Sequence, residues 1–203
     1  PTTPGTKTVT VTIANNDLNE DPYNFTITVD AITPEINVRQ SSTNIADGGS
    51  YNNWADTAVG SNSSVIFTVE NLGTDTLLLD GTPIVALSGT HASQFTVTDQ
   101  PNSSIGTSSS DTFTIRFTPT TPGTKTVTVT IANNDLDEDP YNFTITVDAI
   151  TPEINVRQSS TNIADGGSYN NWAETAVGSN SSVVFTVENL GTDTLLLDGT
   201  PIV

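Results

Sequence analysis

Residues 119–135 read PTTPGTKTVTVTIANND, and residues 1–17 read the same. In this stretch Val127, Val129 and Ile131 alternate with threonines, a period of two that sends one row of side chains into a core and the other to water. Threonine suits the outward row because a β-branched polar side chain fits a pleated, solvated face. The stretch therefore reads as a strand. The same alternation returns in Val65, Phe67 and Val69, in Phe113, Ile115 and Phe117, and in Phe143, Ile145 and Val147. Nowhere do apolar residues sustain the i, i+3, i+4, i+7 spacing of a helix. With shorter apolar runs at 35–38, 77–79, 84–87 and 95–97, the count reaches seven or eight strands in about 100 residues, the spacing of an antiparallel β-sandwich. The fold class is all-β.

The recurrence extends far beyond the opening stretch. Residues 1–85 return at 119–203, displaced by 118, with three changes: Asn19 becomes Asp137, Asp56 becomes Glu174 and Ile66 becomes Val184. Solenoid units run to about 20–50 residues and cannot fold alone, whereas this period has the size of a domain. The sandwich is accordingly repeated in tandem. Residues 1–33 are read as the C-terminal part of one repeat, 34–151 as a complete repeat and 152–203 as the N-terminal part of the next. A chain without methionine that stops inside a unit is expected to be part of a longer array. Between units, Val147 leads to Ile154 through Thr151-Pro152, and proline holds both itself and its predecessor extended. A stiff joint is expected. Within the unit, residues 41–50 are expected to form a loop or irregular edge, and Asp80-Gly81 to turn a hairpin between 77–79 and 84–87.

Composition narrows the function. Acidic side chains number 23 against 5 basic, a net charge of -18, which disfavours nucleic acid and anionic membrane surfaces and favours divalent cations. The absence of cysteine excludes disulfides and thiolate metal sites. No apolar run approaches the roughly 18 residues of a membrane span, so no membrane insertion is expected in this segment.

The sharpest local chemistry lies in the acidic hairpin loops. Asp17, Asn19 and Asp21, and their copies Asp135, Asp137 and Asp139, have the D-x-[DN]-x-[DN] spacing that opens many calcium loops. Alternate residues on a tight loop can aim hard oxygens at one point, and calcium takes six to eight. Calcium is therefore the candidate cofactor, although Pro22 stands where such loops carry glycine, and a solvated acidic tip that discourages edge-to-edge association is the plainer reading. Tyr51 and Trp54, three apart in an Asn-rich stretch, are the candidate ligand-binding pair, as a sugar-stacking platform; a tryptophan plugging the sandwich is the alternative. His91 is the only histidine and reads as a surface residue. No serine sits in a nucleophile-elbow pattern, and no enzyme activity is expected.

EINVRQSSTNIADGGSYNNWADTAVGSNSSVIFTVENLGTDTLLLDGTPIV, followed by FTVTDQPNSSI, TFTIRFTPTTPGTKTVTVTIANND and YNFTITV, resembles the choice-of-anchor D type of bacterial immunoglobulin-like repeat. That group is similar to the domains named after abnormal spindle, major sperm protein and Hydin. The resemblance implies an antiparallel Ig-like β-sandwich, repeated in tandem, in large secreted or cell-surface proteins. It implies spacers and interaction modules without catalysis. The expected function is a structural extender of an extracellular, adhesin-like protein, with neighbouring repeats as partners. The alternatives are a self-associating filament subunit built by strand complementation and a glycan-binding adhesin module.

Overall fold

The computed structural model describes residues 3–203. Its first two strands, β1 (Gly5–Ile13) and β2 (Tyr23–Ala31), form a hairpin. The central unit follows with β3 (Ile36–Gln40), β4 (Thr43–Ile45), β5 (Gly49–Tyr51), β6 (Thr57–Ala58), β7 (Ser63–Asn71), β8 (Leu77–Leu78) and β9 (Val85–Ser88). A short 3-10 turn then precedes β10 (Phe95–Asp99), β11 (Ser104–Ile105), β12 (Ser110–Phe117), β13 (Gly123–Ile131) and β14 (Tyr141–Ile150). The last residues contribute β15 (Ile154–Gln158), β16 (Thr161–Ile163) and β17 (Thr186–Asn189).

Period-two patterning positions the hairpin β13–β14, which pairs from Gly123↔Ala149 to Ile131↔Tyr141 without a break. Val127, Val129 and Ile131 are buried while the intervening threonines are not. The unit closes as two facing sheets, one ordered β10-β12-β7-β3-β4 and the other β5-β14-β13-β9. Apolar residues from both inner faces meet in a single core, the arrangement of an Ig-like sandwich. Phe67 stacks on Phe113 at 5.3 Å and meets Phe143 of the opposite sheet at 5.6 Å. Every buried apolar side chain among the described residues lies between Pro34 and Ala149.

Two local expectations need correction and a third is made specific. The 77–79 and 84–87 runs do not form a hairpin: β8 pairs with β11, while β9 crosses to pair with β13. Leu77, Leu79 and Val85 all enter the core, and burying them against two different sheets outweighs the local turn signal of Asp80-Gly81. The stretch 41–50, expected as a loop or irregular edge, contains β4 and most of β5, each at the edge of its sheet. Finally, β5 and β6 pair with β14 in parallel, within an otherwise antiparallel sandwich.

The hairpin β1–β2 repeats the β13–β14 register residue for residue. Its apolar face, however, is uncovered by any described residue: Phe25 is 44% exposed against 1% for its copy Phe143.

Candidate functional site

Two constructions stand out on the unit, and both involve its entry at 33–36. The first is the joint with the preceding hairpin. Asn71 ends β7, is fully buried, and satisfies all of its amide capacity locally. Its Oδ1 accepts the N–H groups of Glu35 at 3.3 Å and Gly73 at 3.0 Å, and its Nδ2 donates to Asp75 O at 2.7 Å and Ile105 O at 3.0 Å. The turn that follows takes hold of the linker backbone. Thr74 N and Asp75 N both donate to Thr33 O, at 2.8 and 3.0 Å, and Leu72 N donates to Glu35 O at 2.8 Å. Glycine at 73 is a matter of space: a Cβ there would lie 2.5 Å from Glu35 N and 2.5 Å from Pro34 C, and against Thr33 O.

The same joint is built a second time. Thr192 N and Asp193 N donate to Thr151 O at 2.8 and 3.0 Å, Leu190 N donates to Glu153 O at 2.7 Å, and Asn189 Oδ1 accepts Glu153 N at 3.1 Å. A Cβ on Gly191 would lie 2.6 Å from Pro152 C. Each joint borders an open groove, of about 590 Å³ beside Thr6, Asp30 and Thr74 and about 400 Å³ beside Thr124, Asp148 and Thr192.

The second construction is the acidic pole. In the β13–β14 loop, Asn133 is buried; its Oδ1 accepts Asp135 N at 2.8 Å, and its Nδ2 donates to Ile131 O and Glu138 O at 3.1 and 3.0 Å. Asp139 Oδ1 accepts Asn133 N at 3.0 Å. Asp135, only 2% exposed, ties this loop to the first strand by accepting Ile36 N on Oδ2 at 2.9 Å. As a result Glu35, Asp135 and Glu138 each place a carboxylate oxygen within 4.8 Å of the others. Burial, then the charges of Glu35, Asp135, Asp47 and Asp137, push Glu138 up to about 7. Burial also raises Glu35 and Asp135, and the nearby Asp137 adds to both. Glu138 Oε2 is buried and has no hydrogen-bond partner. Hard oxygens held close, one of them orphaned, match what a divalent cation such as calcium accepts.

The spacing pattern thus maps onto the structure unevenly. Asp135 joins the cluster, Asp137 contributes charge beside it, and Asp139 braces the loop's own backbone. In the first hairpin, Asp21 makes the bracing bond to Asn15 N at 2.9 Å, while Asp17 caps Asn19 N at 3.3 Å. Glu35 and Glu138 were missed by the spacing argument. Glu35 lies 100 residues from Asp135 in sequence, and only the packing of β3 beside the loop brings them together.

Tyr51 and Trp54 do not form a sugar platform. They are 7% and 6% exposed, with Tyr51 edge-on to Phe67 and Trp54 edge-on to Phe95 and Phe117. Their polar ends are satisfied internally, by Asn53 O and Ser63 Oγ. An aromatic pair in a sandwich of this size is worth more as core than as surface. His91 is half-buried, and its Nδ1 accepts Thr126 N at 3.1 Å, so it closes a sheet edge. Gln100 does the same for Val85, bonding both its N–H and its C=O. No helix among the described residues is long and apolar enough to cross a membrane.

Comparison with known proteins agrees with the bacterial Ig-like reading: the CARDB family model matches residues 45–142. No curated protein sequence matches. Among solved structures, a PapD-like domain of human CEP192 is similar at 16% identity, covering 58% of this chain and 87% of that one, with a TM-score of 0.40. A protein of unknown function from Porphyromonas gingivalis is similar at 12% identity over 72% of this chain and 67% of its own, with a TM-score of 0.42. The VesB protease of Vibrio cholerae is similar at 15% identity over 52% of this chain and 32% of its own, with a TM-score of 0.39.

Proposed function

We propose that the CARDB-type Ig-like domain at residues 45–142 is the body of a structural extender repeat, complete over 34–151, in a cell-surface or secreted protein. The observation that carries this reading is the duplicated joint. Between the last strand of one unit and the first strand of the next only Thr151, Pro152 and Glu153 intervene, and that linker is bound by backbone hydrogen bonds rather than left free. A sandwich supplies fixed length, and a bound linker passes direction to the next. The partners are neighbouring repeats. The first test is expression of 34–151 alone, which should give a cooperatively unfolding domain because its core is closed within those residues. An unfolded product would end the reading.

A second element concerns calcium. The close approach of Glu35, Asp135 and Glu138, with Oε2 of Glu138 unpartnered, supports a cation that ties the 132–140 loop to the entry of the unit. Bound there, it would supply the positive charge this cluster lacks. Thermal unfolding in calcium and in chelator tests this, with a higher melting temperature expected in calcium and no difference counting against it. Burial of Tyr51 and Trp54 weighs against the glycan-binding alternative. The filament alternative, strand complementation between chains, predicts association that rises with concentration.

A further inference from the structure

We infer that residues 71–75 are a dedicated clamp for the linker that enters the unit at 33–35, and that this clamp is the source of the joint's stiffness. The inference rests on the extender reading and assigns the joint's stiffness to particular atoms.

The partner surface is peptide backbone, and the match is specific. Pro34 has no N–H to satisfy, and the residues on either side of it are the ones held. Thr33 O receives two donors from the turn, while Glu35 uses both its N–H and its C=O. Asn71 organises the donors: its Oδ1 accepts Gly73 N and its Nδ2 donates to Asp75 O, which holds the turn in the shape that meets the linker. Gly73 then lets linker and turn approach to a separation that no side chain permits.

The second copy repeats the arrangement. Asn189 Nδ2 still donates to Asp193 O at 2.7 Å, and its Oδ1 still accepts Gly191 N at 3.0 Å. The bonds of Thr192 and Asp193 to Thr151 O repeat those at the first joint. At both joints the turn of the following copy holds the carbonyl just before the proline, Thr33 O and Thr151 O, so the interface is directional: the following copy grips and the preceding copy is gripped.

The test uses the full chain and hydrogen exchange resolved to single amides. In the unaltered chain the amides of Thr74, Asp75, Thr192 and Asp193 should be protected. Gly73→Ala should speed exchange at Thr74 and Asp75 by about tenfold or more, as expected when local closure is lost, while β7 and β12 amides hold. Gly191→Ala should do the same at Thr192 and Asp193, and because it lies outside the closed core it remains informative if Gly73→Ala unfolds the unit. Unprotected turn amides in the unaltered chain, or unchanged rates in Gly191→Ala, would overturn the clamp. Nitroxides on Thr10→Cys and Thr96→Cys, in a chain with no other cysteine, separate the two claims. A narrow distance distribution that broadens in Gly73→Ala supports the clamp as the source of stiffness. A narrow distribution that stays narrow removes that role from the clamp and leaves the extender reading standing, and a broad one with protected turn amides removes the extender reading instead.

Discussion

Neutralising Glu138 should stabilise the unit, and by an amount that depends on pH. Its carboxyl is raised from 4.5 to about 7, first by burial and then by Glu35, Asp135, Asp47 and Asp137. Because the folded pKa lies above the unfolded one, the native state binds the extra proton between these values. Stability is therefore full below about 4.5 and is lost as pH rises through about 7. A fully expressed shift of that size corresponds to roughly 3 kcal/mol. Glu138 is only partly buried, so solvent screening reduces the expectation to about 1–2 kcal/mol. In chelator at pH 8, Glu138→Gln should raise the melting temperature of the 34–151 unit by about 5 °C. At pH 5 most of the difference should vanish. The raised pKa values of Glu35 and Asp135 act in the same direction and steepen the profile of the unaltered unit. Calcium should invert the ranking at pH 8, since glutamine removes a charged ligand. Thermal unfolding by circular dichroism at the two pH values is sufficient. A Gln variant less stable at pH 8 in chelator, or equally shifted at both pH values, would refute the reasoning.

Three further outcomes are expected. Tyr141 buries its hydroxyl against Ile45 O, so Tyr141→Phe should lower stability by about 1–2 kcal/mol in denaturant titration, whereas Tyr23→Phe, at the half-exposed copy, should leave it unchanged. Removing the acceptor for Thr126 N with His91→Ala should cost about 1 kcal/mol and speed exchange of that amide, which a histidine merely lying on the surface would not do. The fluorescence of Trp54 in the 34–151 unit should be blue-shifted and resist quenching by iodide or response to sugars; a sugar-dependent shift would reopen the glycan-binding reading.

The strands that form the core were legible wherever apolar and polar residues alternate, as in 127–131 and 143–147, because one buried face dictates the register. The aromatic core of Phe67, Phe113, Phe117 and Phe143 follows from that alternation. Sheet assignment was less legible. Leu77 and Val85 look like the arms of a hairpin, and only the competition between two sheets for apolar cover separates them. Residues that act through hydrogen bonds were hidden for a different reason. Nothing in Asn71-Leu72-Gly73 announces that the asparagine is buried with four partners, or that the glycine excludes a side chain from the linker's path. The acidic loop could be flagged by spacing, yet its strongest oxygen neighbours come from Glu35 at the opposite end of the unit and from Glu138 off the pattern. Tyr51 and Trp54 share a local composition that suits a binding loop equally well, and burial alone decides between the two.

The central claim, a stiff repeat joined by a bound linker, is tested most directly by small-angle X-ray scattering from arrays of two, three and four copies of the 118-residue unit. The maximum dimension should rise by a constant increment with each copy, as for rods set end to end. Growth approaching the square root of copy number, the behaviour of domains on flexible linkers, would contradict it.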